Sequence, residues 1–313
     1  MKIERNVPLH DKNWFRTGGN AAYFCEPRTV DEFKEALAYA QEQKREPFIL
    51  GLGANILISD DGIDGLVVRP ALRDIEQIEE KDDCFLVKAG AGVTIHQLIE
   101  WCLAHNLIGL EEFSGIPGSV GGSVYNNLHY FEHSLSDFVV SGEVIHKETE
   151  QIQDVAKEWF GFGYDQSRLH DHDYFLLSAT FCLKKGMELD TAYARGRRAE
   201  IIRHRIKRYP MSHTCGCFFR NFYDHEVGLE INGKKAVWVA YYLDKLGFKG
   251  TSCVGGAIVS SQHANMIVNT GDATSKDIIE LAREMQRQVK EKFNLVPKVE
   301  CQLVGFKQYP LLI

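Results

Sequence analysis

The stretch "FILGLGANILIS", Phe48 to Ser59, restricts the possible folds more than any other part of the chain. An apolar run, Phe48 to Leu50, enters a glycine turn and leaves as a second apolar run, Ile56 to Ile58. A doubly wound dinucleotide fold places GxGxxG between a strand and a helix, whereas these glycines open a second strand. A nicotinamide fingerprint is therefore excluded. Gly51, Leu52, Gly53, Ala54, Asn55 and Ile56 present consecutive backbone N–H groups, since glycine takes positive φ at little cost, and such a nest suits a diphosphate. A tight hairpin turn is the plainer reading of the same residues.

A second side-chain-poor stretch follows. "SGIPGSVGGS", Ser114 to Ser123, carries four glycines and one proline, with only Ile116 and Val120 of any size. Backbone without side chains can approach a flat ligand closely, and Pro117 stiffens the approach. Gly115, Ile116, Pro117, Gly118, Gly121, Gly122 and Ser123 are the candidate contacts. Two such loops, neither followed by a Rossmann helix, suggest a dinucleotide other than NAD held across two units.

Around these loops helix and strand patterns alternate. In "TVDEFKEALAYAQEQK" Thr29 and Glu32 stand at capping-box spacing, and Phe33, Leu37 and Ala40 share a face. "TIHQLIEWCLAHNL" repeats the box with Thr94 and Gln97. "FLVKAGAGV" and "YFLLSATFCLKKG" read as strands, with Gly186 as a boundary. The basic segment Arg195 to Arg208 is a helix stopped by Pro210; its charges lie on all sides, which fits a solvated face better than a phosphate clamp. "TSKDIIELAREMQRQVKEKF" sets Ile278, Leu281, Ala282, Met285, Val289 and Phe293 on one face, the strongest helical signal present. The pattern predicts an α+β protein with two αβ units in front, 1–69 and 70–186, and a smaller α/β unit, 187–313, behind.

Composition removes several classes of function. A net charge of −7 gives no field favouring nucleic acid or an anionic membrane. No apolar run approaches the ~20 residues of a membrane span, and the first residues lack a signal-peptide block, so a cytosolic protein is expected. The eight cysteines fit that compartment: Cys25, Cys84, Cys102 and Cys182 are scattered singly, as reduced thiols that serve as small hydrophobes. Cys215 and Cys217 alone are close neighbours, and no doubled CxxC exists.

Those two lie in "HTCGCFFRNF", His213 to Phe222. On a strand His213, Cys215 and Cys217 would point to one side, and "HDHD" at His170 to Asp173 is the nearest source of a fourth zinc ligand. Histidines in polar loops are common, and no metal is expected. A disulfide between positions two apart is strained. A loop that turns at Gly216 and presents one reactive thiol is the third reading.

At full length the chain resembles a known family. "WFRTGGNAAYFCEP", "LGLGANILISDDGIDGLVV", "GIPGSVGGSVYNN", "CGCFFRN", "GFKGTSCVGGAIVSSQHANMIVN" and "PKVECQLVG" occur in the order found in the UDP-N-acetylenolpyruvoylglucosamine reductases of peptidoglycan precursor synthesis. The resemblance is to the shorter type, which lacks an extra substrate-covering loop. It implies a three-domain flavoprotein: FAD between the first two domains, in a fold of the vanillyl-alcohol-oxidase type, and a third domain for the UDP-sugar. It also implies NADPH as electron donor, hydride addition at C3 of an enolpyruvyl ether, protonation at C2, and UDP-N-acetylmuramate as product. A cytoplasmic monomer serving cell-wall synthesis, cell shape and division is the expectation that follows.

Carried onto this chain, the motifs place Cys217 where the family has a proton-donating serine, Arg220 at a lysine and Asn221 at an asparagine. A thiol of pKa ~8.5 is a stronger proton donor than a serine hydroxyl while it stays protonated. Glu300 stands at the family glutamate that hydrogen-bonds the substrate carboxylate or enol; an ordinary strand residue is the alternative. Lys249 matches a phosphate-binding lysine, and His263, Asn265 and Arg220 line the same domain by motif position. Two segments depart from the pattern. Where the family reads "FGYRxSxF" this chain reads "FGYDQSRL", which sets Asp165 at an enol-stabilising arginine, and "NAGAYG" becomes "NNLHYFEH". Arg168 is expected to reach back in its place, paired with Asp165. Such departures leave open a paralogue with another substrate, or a non-catalytic UDP-sugar-binding relative.

Overall fold

The computed structural model describes residues 1–81 and 84–313. The chain divides into two compact units. The first comprises Met1–Arg5, Ala22–Leu52 and Gly65–His204, the second Asn6–Ala21, Gly53–Asp64 and Arg205–Ile313. Helix and strand are mixed in both.

The first unit is built on a six-stranded sheet whose main path runs Ile152–Ala156, Val139–His146, Tyr174–Lys185, Cys84–Gly90, Ile75–Lys81. These neighbours are antiparallel, and Leu107–Ile108 adds to the edge of Tyr174–Lys185. Tyr174–Lys185 is central, which explains its near-continuous apolar sequence. Phe175 and Leu177 enter one core with Phe33, Ala36, Leu37 and Ala40 of helix α1 (Val30–Glu42), while Leu176, Phe181 and Leu183 enter another. That second core takes Leu98, Ile99 and Cys102 of α2 (Ile95–Ala104), together with Val120 and Val124 of α3 (Val120–Tyr125). Fully burying such side chains contributes roughly 2 kcal/mol each.

Local chemistry sets the helix starts. Thr94 and Gln97 form the complete reciprocal box at α2, as expected. At α1 only half of it forms: Thr29 Oγ1 accepts from the Glu32 N–H, but Glu32 turns back to the N–H of Arg28. Ser119 caps α3, so Gly121, Gly122 and Ser123 lie in a short helix rather than in a loop. Helix α4 (Glu188–Arg208) begins two residues after Gly186, and the division between the two units falls within it, at 204/205.

One cysteine expectation fails. Cys84 and Cys182 form a disulfide across a Cα separation of 5.5 Å. They are diagonal neighbours on the antiparallel strands Cys84–Gly90 and Tyr174–Lys185, where Cys84 pairs Lys184 and Cys182 pairs Leu86. A separation of 98 residues hides that adjacency from the sequence.

The second unit holds the antiparallel strands Cys253–Val254, Ala257–Val259 and Ile267–Asn269, and a parallel pair of Ile56–Ile58 with Gln302–Val304. Helices α5 (Val239–Lys245) and α6 (Ser275–Phe293) pack on a core that includes Phe218, Phe219, Tyr242 and Met285. The α6 stripe is buried as read, from Ile278 to Val289, with Phe293 partly buried at its end. Thr274 and Asp277 cap its start reciprocally.

Candidate active site

In the first unit the two side-chain-poor stretches touch. A Cβ at Gly51 would stand 2.6 Å from Ser119 Oγ, so a larger residue there would make the Ser119 hydroxyl move from its place at the start of α3. Val120 and Gly121 donate to the carbonyls of Val93 and Ala91, Ile116 donates to Phe113, and Gly118 accepts from Ile95 at the start of α2. Gly51 to Ile56 do join two strands, Pro47–Ile49 and Ile56–Ile58. Leu52 ends the first-unit segment and Gly53 to Ile56 belong to the second unit, where Gly53 accepts from the Trp14 N–H and Asn55 from the Gln302 N–H. The hydroxyls of Ser114 and Ser178 are buried with no hydrogen-bond partner among the described residues. Buried donors of that kind suit a polar ligand laid against the glycine backbone.

The departing segments, "NNLHYFEH" and "FGYDQSRL", also lie in this unit. Arg168 is exposed and its guanidinium lies 4.8 Å over the Trp159 ring. Asp165 Oδ1 instead lies 3.4 Å from Nδ1 of His129. The expectation that Arg168 reaches back to replace the family arginine therefore fails: its cation is held on the half-buried Trp159 ring and exposed to solvent. His129 was not singled out by sequence, because its partner lies 36 positions along the chain.

The second unit assembles the rest from backbone upward. Gly216 has φ +84° with open space at its Cβ position, and His213 has φ +58°. These left-handed residues break the strand alternation on which the three-ligand zinc reading depends. Among the described residues no group of three or more His, Cys, Asp or Glu is placed to hold a metal. Cys215 is buried, and burial, reinforced by hydrogen bonding with the neighbouring Cys301 thiol, pushes its pKa well up. Cys217 is half-buried.

Two clamps hold the Cys217 segment. On one side Asn265 accepts from the Phe219 N–H through Oδ1 at 3.1 Å, donates through Nδ2 to the Phe219 carbonyl at 2.7 Å, and accepts from the Phe218 N–H through its own carbonyl. Its amide is 1% exposed and committed to this peptide, so Asn265 is a positioning residue rather than the substrate contact its motif position suggests. On the other side the Glu300 N–H donates to Phe218 O at 2.9 Å, the Arg220 N–H donates to Lys298 O at 2.9 Å, and Phe219 bridges Val299. Cys217 and the half-buried Glu300 thus sit on adjoining, stitched segments.

Arg220 makes a bidentate pair with Glu226, both contacts 2.8 Å, donates to Asn221 O, and lies 4.2 Å over the Tyr223 ring. The guanidinium holds the Glu226 carboxyl down at about 2. Asn221 accepts from the Val239 N–H at the start of α5.

A cationic cluster forms around His263. Burial first, then the Arg208 and Lys249 charges, lowers its pKa to about 4, and its Nδ1 accepts from the Asn265 N–H. The imidazole is therefore neutral near pH 7. Tyr209 lies 5.5 Å from the His263 ring, with Arg205 and Arg208 over the other ring at 5.2 and 5.6 Å. Arg208 and Tyr209 were missed by the sequence reading, which took the basic helix as solvated; the stop at Pro210 was the available signal. Two cations flanking a neutral donor are suited to a diphosphate.

Residues 21–155 match the FAD binding domain family, and residues 208–304 match the C-terminal domain of UDP-N-acetylenolpyruvoylglucosamine reductase. Reductases of that name from Latilactobacillus sakei and Parasynechococcus marenigrum are 30% and 33% identical to this chain. Each alignment covers 98% of the chain, with 95% and 98% of the relative. The crystal structure of the reductase from Thermus caldophilus superposes with a TM-score of 0.75 at 28% identity, covering 97% of this chain and all of that one. The chain belongs to the UDP-N-acetylenolpyruvoylglucosamine reductase family.

Proposed function

We propose that this protein is an FAD-dependent oxidoreductase that uses NADPH to convert UDP-N-acetylglucosamine enolpyruvate to UDP-N-acetylmuramate. One observation carries the reading: a half-buried thiol and a half-buried carboxyl, Cys217 and Glu300, held on stitched segments of the domain that matches the family's C-terminal model. The glycine-lined approach at Gly51 and the unpartnered Ser114 and Ser178 hydroxyls fit FAD in the first unit. When bound, FAD supplies the hydride for C3 of the enolpyruvyl ether, and NADPH restores it.

The chain's own residues then have defined work. Hydride addition at C3 drives negative charge onto C2 and the carboxylate, and a neutral acid must deliver one proton to C2. Cys217 delivers it and recovers a proton from water; Gly216 gives the turn that presents the thiol. Glu300 in its protonated form hydrogen-bonds the carboxylate. Lys249, Arg208 and neutral His263 hold the diphosphate, and Asn265 keeps the Cys217 segment in place. Asn221 and Arg220 shape the same segment through Glu226 and α5.

On this reading 1–69 and 70–186 are FAD-binding subdomains and 187–313 receives the UDP-sugar. The protein acts as a cytoplasmic monomer in peptidoglycan synthesis, and so in cell shape and division. Among the described residues no helix is long and apolar enough to cross a membrane. Asp165 at the family's arginine position, beside His129 rather than Arg168, favours a second reading, a flavoprotein paralogue that acts on a different substrate. Purified protein loaded with FAD tests both. NADPH oxidation that requires the UDP-enolpyruvyl sugar supports the first; oxidation indifferent to it removes the first.

A further inference from the structure

Within the second unit, the end of α4 is built around one aromatic ring. Tyr209 follows the last helical residue, and its N–H donates to the Arg205 carbonyl at 2.8 Å. A side chain on a helical turn leans toward the turn before it, which brings the Tyr209 ring back to residue 205. The Arg205 and Arg208 guanidiniums stand 5.2 and 5.6 Å from the ring centroid, and the His263 ring lies 5.5 Å away, tilted by 56°. Gln262 ties the same helix end down independently. Its Nε2 donates to the Ile206 carbonyl at 2.9 Å and to the Lys207 carbonyl at 3.3 Å, groups that a helix C-terminus leaves without intrahelical partners.

The cations gathered here disfavour one another. Arginine stays charged throughout the working range, and the Arg208 and Lys249 charges both bear on His263, with Asp244 acting in the opposite sense. A carboxylate partner would fix a guanidinium but cancel its charge, as Glu226 does for Arg220. An aromatic face fixes it and leaves the charge available to an anion. Arg205 is half-buried and Arg208 exposed, so Arg205 braces the ring while Arg208 remains open to a ligand. We infer that Tyr209 is a positioning residue for diphosphate recognition, its ring holding the Arg208 guanidinium on the His263 side of the α4 terminus. This rests on the reading of the preceding subsection, in which Arg208, Lys249 and His263 receive the diphosphate. Because Gln262 secures the helix end by itself, removing the ring releases the cation rather than the helix.

The test is calorimetric titration of full-length, FAD-loaded protein with UDP. Tyr209→Leu, which keeps bulk without a π face, is expected to weaken UDP binding about fivefold, the scale of one cation–π contact. Tyr209→Phe keeps the face and is expected to bind UDP within about twofold of wild type. In an Arg208→Ala background, Tyr209→Leu is expected to cost less than about twofold more, because the ring acts through that cation. Tyr209→Met serves where the leucine variant does not fold, with the same loss expected. UDP affinity within twofold of wild type in a folded leucine or methionine variant overturns the inference. So does an equal loss in the phenylalanine variant, or the full loss in the Arg208→Ala background. A folded wild-type protein that binds no UDP at millimolar concentration overturns the proposed function, and the inference with it.

Discussion

Replacing Asn265 by alanine removes the two side-chain hydrogen bonds that hold the Phe219 peptide. The amide is 1% exposed, so water cannot readily take its place, and both the N–H and the C=O of a buried peptide lose a partner. An orphaned buried polar group costs ~1–3 kcal/mol, which gives about 2–6 kcal/mol for the pair. Because the loss is local, hydrogen exchange over residues 213–222 is the assay of choice: protection there should fall at least ~30-fold, the equivalent of about 2 kcal/mol. Asn265→Asp keeps the acceptor for the Phe219 N–H but faces a carbonyl with a carboxylate oxygen, so it should expose the Phe219 segment as well while leaving distant peptides protected. Turnover should fall with protection, since the same peptide positions Cys217. Protection within threefold of wild type in the alanine variant would refute the claim that this amide fixes the segment.

Three further outcomes are expected. Cys217→Ser, with a weaker acid on the same backbone, should keep measurable turnover but lower kcat by at least tenfold, read in steady-state NADPH oxidation. Lys249→Ala and Arg208→Ala should each raise KM for the UDP-sugar about tenfold with kcat nearly kept, as loss of a charge-assisted contact to phosphate requires. For His263, pKa about 4 when folded against 6.5 unfolded, the unfolded chain binds a proton that the folded one refuses between those values. Stability should therefore fall by up to roughly 3 kcal/mol as pH drops through that window and show no such dependence above it. Denaturant unfolding of wild type and His263→Gln at pH 7 and 4.5 checks this, the variant giving the flatter response.

Much of the fold could be read locally, because its signals are local. The α6 stripe from Ile278 to Val289 and the Thr94–Gln97 box need only a few residues of context, and both form. The strand–glycine–strand reading of Phe48 to Ile58 likewise holds. What stayed hidden depends on partners far along the chain. The Asn265 amide finds Phe219 46 positions away, and Cys84 finds Cys182 98 positions away. Asp165 meets His129 rather than the near neighbour Arg168, which stacks on Trp159. At α1 the Glu32 carboxylate chose the Arg28 N–H over that of Thr29, a competition between adjacent donors that spacing cannot rank. Ser119 turned half of a glycine-rich loop into a helix by capping it.

Proton delivery by the residue-217 sulfur is tested most directly by rapid mixing of reduced, FAD-loaded Cys217→Ala with the UDP-enolpyruvyl sugar. The flavin should bleach normally with NADPH and then remain reduced, at least 100-fold slower to reoxidise than wild type. Reoxidation at the wild-type rate, with saturated product formed, would contradict the assignment.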